Sequence, residues 1–434
     1  MVENFVCDTL TYYSLSDKGK NTVLYVIWMK EDVDGDALKQ AVEITMRRYP
    51  YLKKQLVATE EGYHLIDNDR PIVVKETDEV MNLCGEESNY HLWGLTYLGR
   101  YIYFNNVHAI FDGRGRSMLL HTLIYYYCKI RYNEEVEMDG VALADSPIDP
   151  AEYYDPFTQP LPAFESTMPM PTPPGSAFNL TEQGLVLRGE EDYLHFVRIN
   201  EKQLMQLCRT NDGTPNTVIS LLMMRAIAKL HPKREKPIVS QVFCDYRKYV
   251  GAEKTHRNMV TSIPLKFTEE MESMSIQTQN TILRGQIIYY TQPDVMMNIV
   301  STVKGACEYV NSLPTLQEKF AALVPGGQQF ADATTFCVSY AGNKAFGSCD
   351  KHIEALFPVG EVKGAGVQIL LEVTTADGWF YVSFVQGWRE DVYFNAFLKE
   401  IVENNLDFDV IYSSKCKAPR FDFDAVFKAG QELK

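Results

Sequence analysis

The chain has 434 residues, of which 46% are hydrophobic, and its formal net charge is −15 at pH 7. A chain of this length exceeds one ordinary hydrophobic core, so two domains of about 150 to 250 residues are expected. The acidic balance argues against nucleic acid or an anionic membrane surface as a partner, because both attract basic surfaces.

The N-terminal residues contain no basic stretch followed by an apolar core, so they do not look like a secretory signal. No apolar run approaches the roughly 18 residues that cross a bilayer. We therefore expect a cytoplasmic protein. Nine cysteines are scattered along the chain without a Cys-x-x-Cys pair. This argues against zinc sites and disulfide frameworks and favours reduced, buried thiols at Cys128, Cys244 and Cys337.

Residues 22–28 are almost entirely apolar and predict a buried strand. Asp34-Gly35-Asp36 then offers a cap for a helix whose apolar positions run from Leu38 to Met46. Pro50 stops this helix shortly after Arg48. Short strands are expected at about 63–66, 72–74 and 91–93.

The next stretch predicts a strand-to-helix turn. Tyr101 to Phe104 form an aromatic and β-branched strand, and His108 lies at its far end. After Gly113, apolar residues recur at helical spacing to about Tyr132. A histidine at such a turn can act as a general base, because its ordinary pKa of about 6.5 is close to working pH. The alternative is a hydrogen-bonded histidine at the end of a strand, without a catalytic role.

Two neighbours of this histidine have distinct expected roles. Asp112 should point away from the substrate and fix the loop through a basic partner. Gly113 should provide a backbone angle or a close approach that a side chain would prevent.

The window from residue 145 to 175 contains nine of the chain's twenty prolines. Proline at this density prevents regular structure, so the window is predicted to be an extended crossing segment or linker. We place the domain boundary there, with an N-terminal lobe at 1–160 and a C-terminal lobe at 161–434.

The second half shows strands and helices in alternation. A polar turn at 211–217 caps an apolar helix at 218–230. Two helices are predicted at about 269–290 and 294–311, and a hairpin is predicted around Asp377-Gly378. The remaining landmarks are Asp245-Tyr246-Arg247 after a strand, Asn258 before Ile263-Pro264-Leu265, and the strand that contains Ser339-Tyr340-Ala341-Gly342.

The pattern His-x-x-x-Asp-Gly, formed by His108, Asp112 and Gly113, resembles the active-site motif of the chloramphenicol-acetyltransferase-like superfamily. That group includes the condensation domains of nonribosomal peptide synthetases and alcohol acetyltransferases. Other landmarks resemble the family in order and spacing: a helix ending at Arg48 with Leu52 beyond it, Asp-x-Arg ending at Arg247, and the strand with Ser339 and Tyr340.

This resemblance implies an α/β (α+β sandwich) fold with two similar lobes and an active site in a tunnel between them. It implies that His108 takes a proton from a small-molecule acceptor as the acceptor attacks a thioester. The thioester would be acyl-coenzyme A or a phosphopantetheine thioester used as co-substrate, with no permanently bound cofactor and no metal. Ser339 and Tyr340 become candidates for stabilising the oxyanion. Asp112 would form a structural salt bridge with Arg48 or Arg247, and the sequence does not choose between these two.

Two departures leave the acceptor open. Val107 occupies the position of the first of two adjacent histidines in condensation domains, and the closing Asp-Phe-Gly-Trp-Gly motif of the plant BAHD branch is absent. Tyr340 also stands where asparagine is common in the family, which keeps a silent binding protein as an alternative. The first reading is an acyltransferase that uses acyl-coenzyme A, with a free-standing condensation enzyme fed by a carrier protein and a silent binding or scaffold protein as alternatives. The basic clusters Arg114/Arg116 and His231 to Lys236 are either phosphate contacts or, more often for such clusters, solvated surface.

Overall fold

The structure is a computed structural model that describes residues 2–3, 5–16, 21–165, 175–183, 192–343, 345–362 and 367–432. Residues 166–174 of the proline-rich window lie outside the described residues. Across the described ranges, none of the helices has the length and apolar character that crossing a membrane requires.

Polar side chains cap the first turn of several helices. The Asp34 carboxylate accepts a hydrogen bond from the Ala37 main chain at 2.9 Å, as the sequence predicts. The helices are α1 (Thr9–Tyr13), α2 (Gly35–Arg48), α3 (Gly113–Tyr132), α4 (Glu201–Thr210), α5 (Pro215–Leu230), α6 (Arg247–Val250), α7 (Ile276–Tyr290), α8 (Pro293–Ser312), α9 (Leu316–Asp332), α10 (Val392–Glu403) and α11 (Phe423–Gln431).

The strands are rich in β-branched and aromatic residues. They are β1 (Val2–Glu3), β2 (Thr22–Met29), β3 (Lys54–Ala58), β4 (Tyr63–Asp67), β5 (Val74–Glu76), β6 (Asn82–Leu83), β7 (Trp93–Leu98), β8 (Tyr101–Val107), β9 (Tyr193–Asn200), β10 (Ile238–Asp245), β11 (Val260–Phe267), β12 (Phe336–Asn343), β13 (Ile353–Gly360), β14 (Ile369–Ala376), β15 (Trp379–Gln386), β16 (Phe408–Lys415) and β17 (Arg420–Phe421).

Two larger sheets organise these strands. One has five strands in the order β13-β2-β8-β7-β5, and the other has seven in the order β11-β10-β12-β14-β15-β9-β16. The predicted hairpin joins β14 to β15, with Ala376 paired to Trp379. Smaller sheets have the orders β1-β4-β3 and β17-β6. This confirms the α/β fold class that the family resemblance implies.

The two larger sheets are packed through a shared apolar layer. Each sheet also has a core on its helical side. Strand residues alternate between these faces, so Leu370 faces the shared layer while Leu371 packs with the helices. The shared layer includes Leu24, Val26 and Phe357 from the five-stranded sheet and Leu194, Phe196, Cys337 and Leu370 from the seven-stranded sheet.

Segments of the second half return to the first. Strand β13 runs antiparallel to β2, with Phe357 opposite Val26, and β17 pairs with β6. The division of the chain near residue 160 stays a prediction. If the lobes divide there, the second contributes an edge strand to the sheet of the first.

Helix α9 is absent from the sequence prediction. It contains Pro325, Gly326 and Gly327, three residues that disfavour a helix interior. A capping box between Thr315 and Glu318 fixes its first turn. Packing of Phe320 and Leu323 against the core of the five-stranded sheet then outweighs the low helix propensity of the three interior residues.

Candidate active site

The loop that follows β8 presents the candidate base. Residues His108–Ile110 form a single 3-10 turn, and Asp112 caps helix α3. The Asp112 Oδ1 atom accepts hydrogen bonds from the main-chain nitrogens of Arg114 at 3.1 Å and Gly115 at 2.9 Å. The strand-to-helix turn is therefore fixed by the side chain that the motif supplies.

Gly115, not Gly113, occupies the sterically restricted position. A Cβ atom at Gly115 would lie 1.9 Å from the His256 carbonyl oxygen, whereas a Cβ at Gly113 would have no neighbour closer than 4.0 Å. Nor is Gly113 among the residues with positive φ. The expectation that Gly113 permits a special angle or close approach is wrong, and the close approach belongs to the residue two positions on.

Replacing Gly115 with alanine should therefore destabilise the protein. Overpacking against a rigid main chain costs about 1 to 3 kcal/mol or more, and chemical denaturation measures this directly. Gly113→Ala is the matched control, because it adds the same methyl group to the same helical turn without a clash, and it should change stability by about 0.5 kcal/mol or less. Equal stability of the two variants would contradict this steric argument.

The Asp112 carboxylate forms a buried salt bridge with Arg247. The distance from Arg247 Nη2 to Asp112 Oδ2 is 2.8 Å, and these residues are 0% and 1% exposed. Arg247 also donates to the main-chain oxygens of Thr255 at 3.1 Å and Arg257 at 2.6 Å. The Met259 main-chain nitrogen donates to Asp112 Oδ2 at 3.0 Å. Both carboxylate oxygens are occupied by structural partners, so Asp112 faces away from the imidazole.

Arg48 has a different partner. Its guanidinium donates to the two carboxylate oxygens of Glu152 at 2.7 and 2.5 Å. Glu152 lies in the proline-rich segment, so this pair attaches that segment to the end of α2. Of the two arginines that the sequence leaves open as the partner of Asp112, the structure places Arg247 there.

Main-chain contacts hold His108. The side-chain amide of Asn258 donates to the carbonyl oxygens of His108 and Ala109, both at 2.9 Å. The main-chain nitrogen of His108 donates to the Asn21 carbonyl oxygen at 2.8 Å. As a whole residue His108 is partly exposed, and its Nδ1 atom is buried without a hydrogen-bond partner from the other described residues.

The surroundings of His108 favour the neutral imidazole. Burial lowers the pKa of His108 from its ordinary value, and the Arg116 guanidinium lowers it further. The Asp112 carboxylate and Asn258 oppose these effects. A neutral imidazole at pH 7 can accept a proton.

Arg116 is buried beneath the loop and is not a surface phosphate contact. It is 6% exposed, its Nη1 donates to Asn106 Oδ1 at 3.3 Å, and its guanidinium lies 4.1 Å from the centre of the Tyr25 ring. Arg114 is half-exposed and pairs with Asp245 at 3.2 Å.

Two residues of the other basic cluster also have partners within the protein. His231 Nε2 and the Tyr393 hydroxyl are 2.8 Å apart, and Arg234 pairs with Glu272 at 2.5 Å. Lys233 of this cluster is exposed, so a phosphate contact there stays a prediction.

The two oxyanion candidates lie on opposite faces of β12. Tyr340 packs in the helical-side core, where its ring centre is 6.1 Å from that of Phe380. Ser339, its neighbour, therefore faces the other sheet. It is partly exposed and stands in register with Glu372 on β14. Tyr340 therefore points away from the other sheet and Ser339 towards it, and the oxyanion role of both residues stays a prediction.

Sequence reasoning did not identify Glu372. This side chain is 8% exposed, and its Oε2 accepts a hydrogen bond from the Gly360 main chain at 2.7 Å. Burial raises the pKa of Glu372 to about 7, with the Arg116 guanidinium opposing the rise. Only a glutamate in an otherwise apolar strand signalled it, because its partners lie on other strands.

The raised pKa predicts a pH-dependent stability. The folded state binds a proton at Glu372 more tightly than the unfolded state, where the ordinary pKa is 4.5. The protonated Glu372 carboxyl therefore contributes its full stabilisation of the folded state below about pH 4.5, and this contribution is lost as pH rises through about 7. Glu372→Gln cannot ionise and keeps an acceptor for Gly360. The unfolding free energy of the wild type relative to this variant should fall by on the order of 3 kcal/mol between pH 4 and 8. If urea denaturation gives the same difference in unfolding free energy between the wild type and Glu372→Gln at every pH from 4 to 8, the prediction is contradicted.

Asp8 is a second residue that the sequence did not suggest. Its carboxylate is 1% exposed, pairs with Arg257 at 2.7 Å and accepts from the Asn258 main-chain nitrogen at 2.9 Å. Since Asn258 also holds the His108 carbonyl, the N-terminal segment is linked to the loop through one residue. No local pattern could show a contact over 250 positions.

A cleft adjoins the motif loop. It has a volume of about 1080 Å³ and is lined by residues of both halves, including Tyr51, Ile110, Tyr153 and His256. Ile110 belongs to the 3-10 turn, but His108 is not in the lining. The tunnel around His108 therefore stays a prediction.

No protein-family model and no curated protein matches the sequence. Solved structures match most of its length. TRI101 from F. graminearum, complexed with coenzyme A and deoxynivalenol, matches with a TM-score of 0.60 at 12% identity over 94% of this chain and 99% of that chain. The trichothecene 15-O-acetyltransferase TRI3 from Fusarium sporotrichioides gives 0.61 at 8% identity over 92% and 93%. The starter condensation domain of rhizomide synthetase RzmA gives 0.53 at 9% identity over 93% and 95%. At these identities the likeness shows a shared fold.

Proposed function

We propose that this chain, which has the two-lobed chloramphenicol-acetyltransferase-like fold, is an acyltransferase that moves an acyl group from a thioester to a hydroxyl or amine acceptor. The observation that carries the proposal is the position of His108. Its imidazole is kept neutral by burial and by Arg116, and Asn258 holds its main chain.

In the proposed reaction, His108 Nε2 removes the proton from the acceptor as the acceptor oxygen or nitrogen attacks the thioester carbonyl carbon. The carbon–sulfur bond then breaks, and the same proton passes to the thiolate. Acyl transfer is complete without a covalent enzyme intermediate. The tetrahedral oxyanion requires a donor near the site where charge develops, and the Ser339 hydroxyl is our candidate for it.

We propose acyl-coenzyme A as the donor. Support comes from the fold shared with TRI101, which was solved with coenzyme A. A carrier-bound phosphopantetheine thioester is the second candidate, because a condensation domain shares the same fold. A silent scaffold is disfavoured, since such a protein would have no need for a His108 whose imidazole is kept neutral and whose main chain is held by Asn258.

The test is thiol release from a series of acyl-coenzyme A donors with mixed alcohols and amines, measured for the wild type and for His108→Ala. Acceptor-dependent release by the wild type alone is the expected result. If no acyl-coenzyme A supports release, acyl groups loaded on phosphopantetheinylated carrier proteins are assayed next, and turnover there favours the condensation enzyme. Absence of turnover with both donor types would overturn the proposal.

A further inference from the structure

Three consecutive main-chain carbonyls at the motif loop accept hydrogen bonds from buried asparagine side chains. Asn258 holds the oxygens of His108 and Ala109, both at 2.9 Å. The oxygen immediately before them, that of Val107, accepts from Asn106 Nδ2 at 3.0 Å. The loop that carries the candidate base is therefore fixed from two sides, by Asn106 near the end of β8 and by Asn258 from the second half of the chain.

The Val107 carbonyl lies where the pairing of β8 with β7 stops. In a regular antiparallel pair the two residues exchange both hydrogen bonds. Beside β7 the Val107 nitrogen still donates to the Leu92 oxygen at 2.9 Å, whereas the Val107 oxygen is taken by the Asn106 amide. Both Val107 and Asn106 are 0% exposed. A buried carbonyl at the end of a ladder needs such a partner.

Arg116 determines which way the Asn106 amide points. Its Nη1 donates to Asn106 Oδ1 at 3.3 Å. A reversed amide would place its NH2 group against the guanidinium, which has no acceptor, and its oxygen against the Val107 oxygen, which has no proton. Only one orientation therefore satisfies both neighbours. The guanidinium also lies beside the motif loop, because a Cβ atom at Gly113 would be 4.0 Å from Arg116 Nη2.

We propose that Asn106 is a positioning residue for His108 and that Arg116 acts through it. The Val107 oxygen belongs to the peptide group that joins Val107 to His108, so the Asn106 amide fixes the main chain from which the imidazole projects. This inference rests on the proposed function, because the position of the imidazole affects a rate only if His108 is the base. A displacement of about 1 Å can lower a catalysed rate about 10²-fold.

Asn106→Asp tests the inference, because the two side chains have the same shape but a carboxylate cannot donate to the Val107 oxygen. In thiol release, kcat should fall by roughly 10- to 100-fold, with KM for the acceptor within about twofold of the wild type. If Asn106→Asp does not fold, Asn106→Ala takes its place, because it removes the donor without adding a charge.

Asn105→Asp is the matched control. Asn105 is also 0% exposed, and its Nδ2 donates to the Tyr103 oxygen at 3.1 Å. Its Oδ1 accepts from the Met81 nitrogen at 3.1 Å, so its contacts lie away from the motif loop. The control should lower Tm as Asn106→Asp does, because each loses a buried donor, but its kcat should stay within about twofold of the wild type.

Two substitutions of Arg116 test its part. Arg116→Met removes the donor to Asn106 and should lower kcat. It should also move the acidic limb of the rate profile to higher pH, because burial and the Arg116 guanidinium lower the pKa of His108 and only burial remains. The Asp112 carboxylate, which raises that pKa, is present in both variants. Arg116→Lys keeps a donor and a charge and should recover activity. A role confined to stability would change Tm and leave the acidic limb in place.

Imidazole signals separate this inference from the proposed function, because they do not require turnover. The chain has eight histidines, and in protein labelled with 15N-histidine the variant His108→Ala identifies the signals of His108. These signals should move in Asn106→Asp and not in Asn105→Asp. If the wild type transfers acyl groups but the two variants match in kcat and in these signals, the positioning role is overturned while acyl transfer stands. Absence of turnover with every donor overturns the proposed function, and with it this inference.

Discussion

Asp112→Ala should destabilise the protein by about 3 to 5 kcal/mol, because it leaves the Arg247 guanidinium buried without its counter-ion. The variant also removes the side chain that caps α3, so the loop that carries His108 should lose its fixed shape. We therefore expect a lower Tm together with a loss of activity. Urea denaturation at pH 7 measures the first effect and thiol release the second.

Asp409→Ala is the matched control for this experiment. Asp409 pairs with Arg198 at the same 2.8 Å distance, but its side chain is 55% exposed. An exposed pair contributes about 0 to 1 kcal/mol. The double variant Asp112→Ala/Arg247→Met removes both charges and should recover part of the lost stability. An unchanged Tm in Asp112→Ala would overturn the structural role of this residue.

His108→Ala should lower kcat by about 10²- to 10⁴-fold, the usual contribution of general acid–base catalysis. Activity of the wild type should decline on the acidic side with an apparent pKa below the ordinary 6.5, because burial and Arg116 favour the neutral imidazole. As pH falls through that value, His108 binds a proton and can no longer act as a base. Steady-state rates of thiol release from pH 4.5 to 8 measure both effects.

His64→Ala is the control for a histidine outside the site. His64 lies on β4 and contacts Thr59 Oγ1 at 3.2 Å, so its loss should leave kcat within about twofold, or 0.4 kcal/mol in activation free energy. Equal rates for His108→Ala and the wild type, in folded protein, would remove His108 as the base.

Local sequence patterns were sufficient for the elements that carry the candidate site. The apolar run of β2, the cap at Asp34 and the turn from β8 into α3 all depend on residues within a few positions of one another. The choice between Arg48 and Arg247 could not be made in this way. Arg48 lies at the end of a predicted helix and Arg247 follows a predicted strand, so both fit the pattern equally well. Only the position of Glu152 in the fold shows that Arg48 pairs with Glu152 and not with Asp112.

The same limit explains the error at Gly113 and the open choice between Ser339 and Tyr340. A glycine pattern shows where a side chain is absent, but the atom that requires its absence is the His256 carbonyl oxygen, about 140 residues beyond Gly115. For β12, alternation implies that Ser339 and Tyr340 point in opposite directions. Which of them faces the other sheet depends on the register with β14, and the sequence of β12 alone does not contain that register.

The placement of β13 has a consequence for protein synthesis. The five-stranded sheet that positions His108 has β13 as its outer strand next to β2, and β13 ends at Gly360. A ribosome adding about 5 to 20 residues per second needs roughly 10 to 40 s to make the 200 residues between position 160 and that strand. Throughout this interval the nascent N-terminal half has an open β2 edge, the kind of surface on which chains aggregate. Chaperone contact during translation would therefore be concentrated on the first half of the chain and would end when β13 emerges.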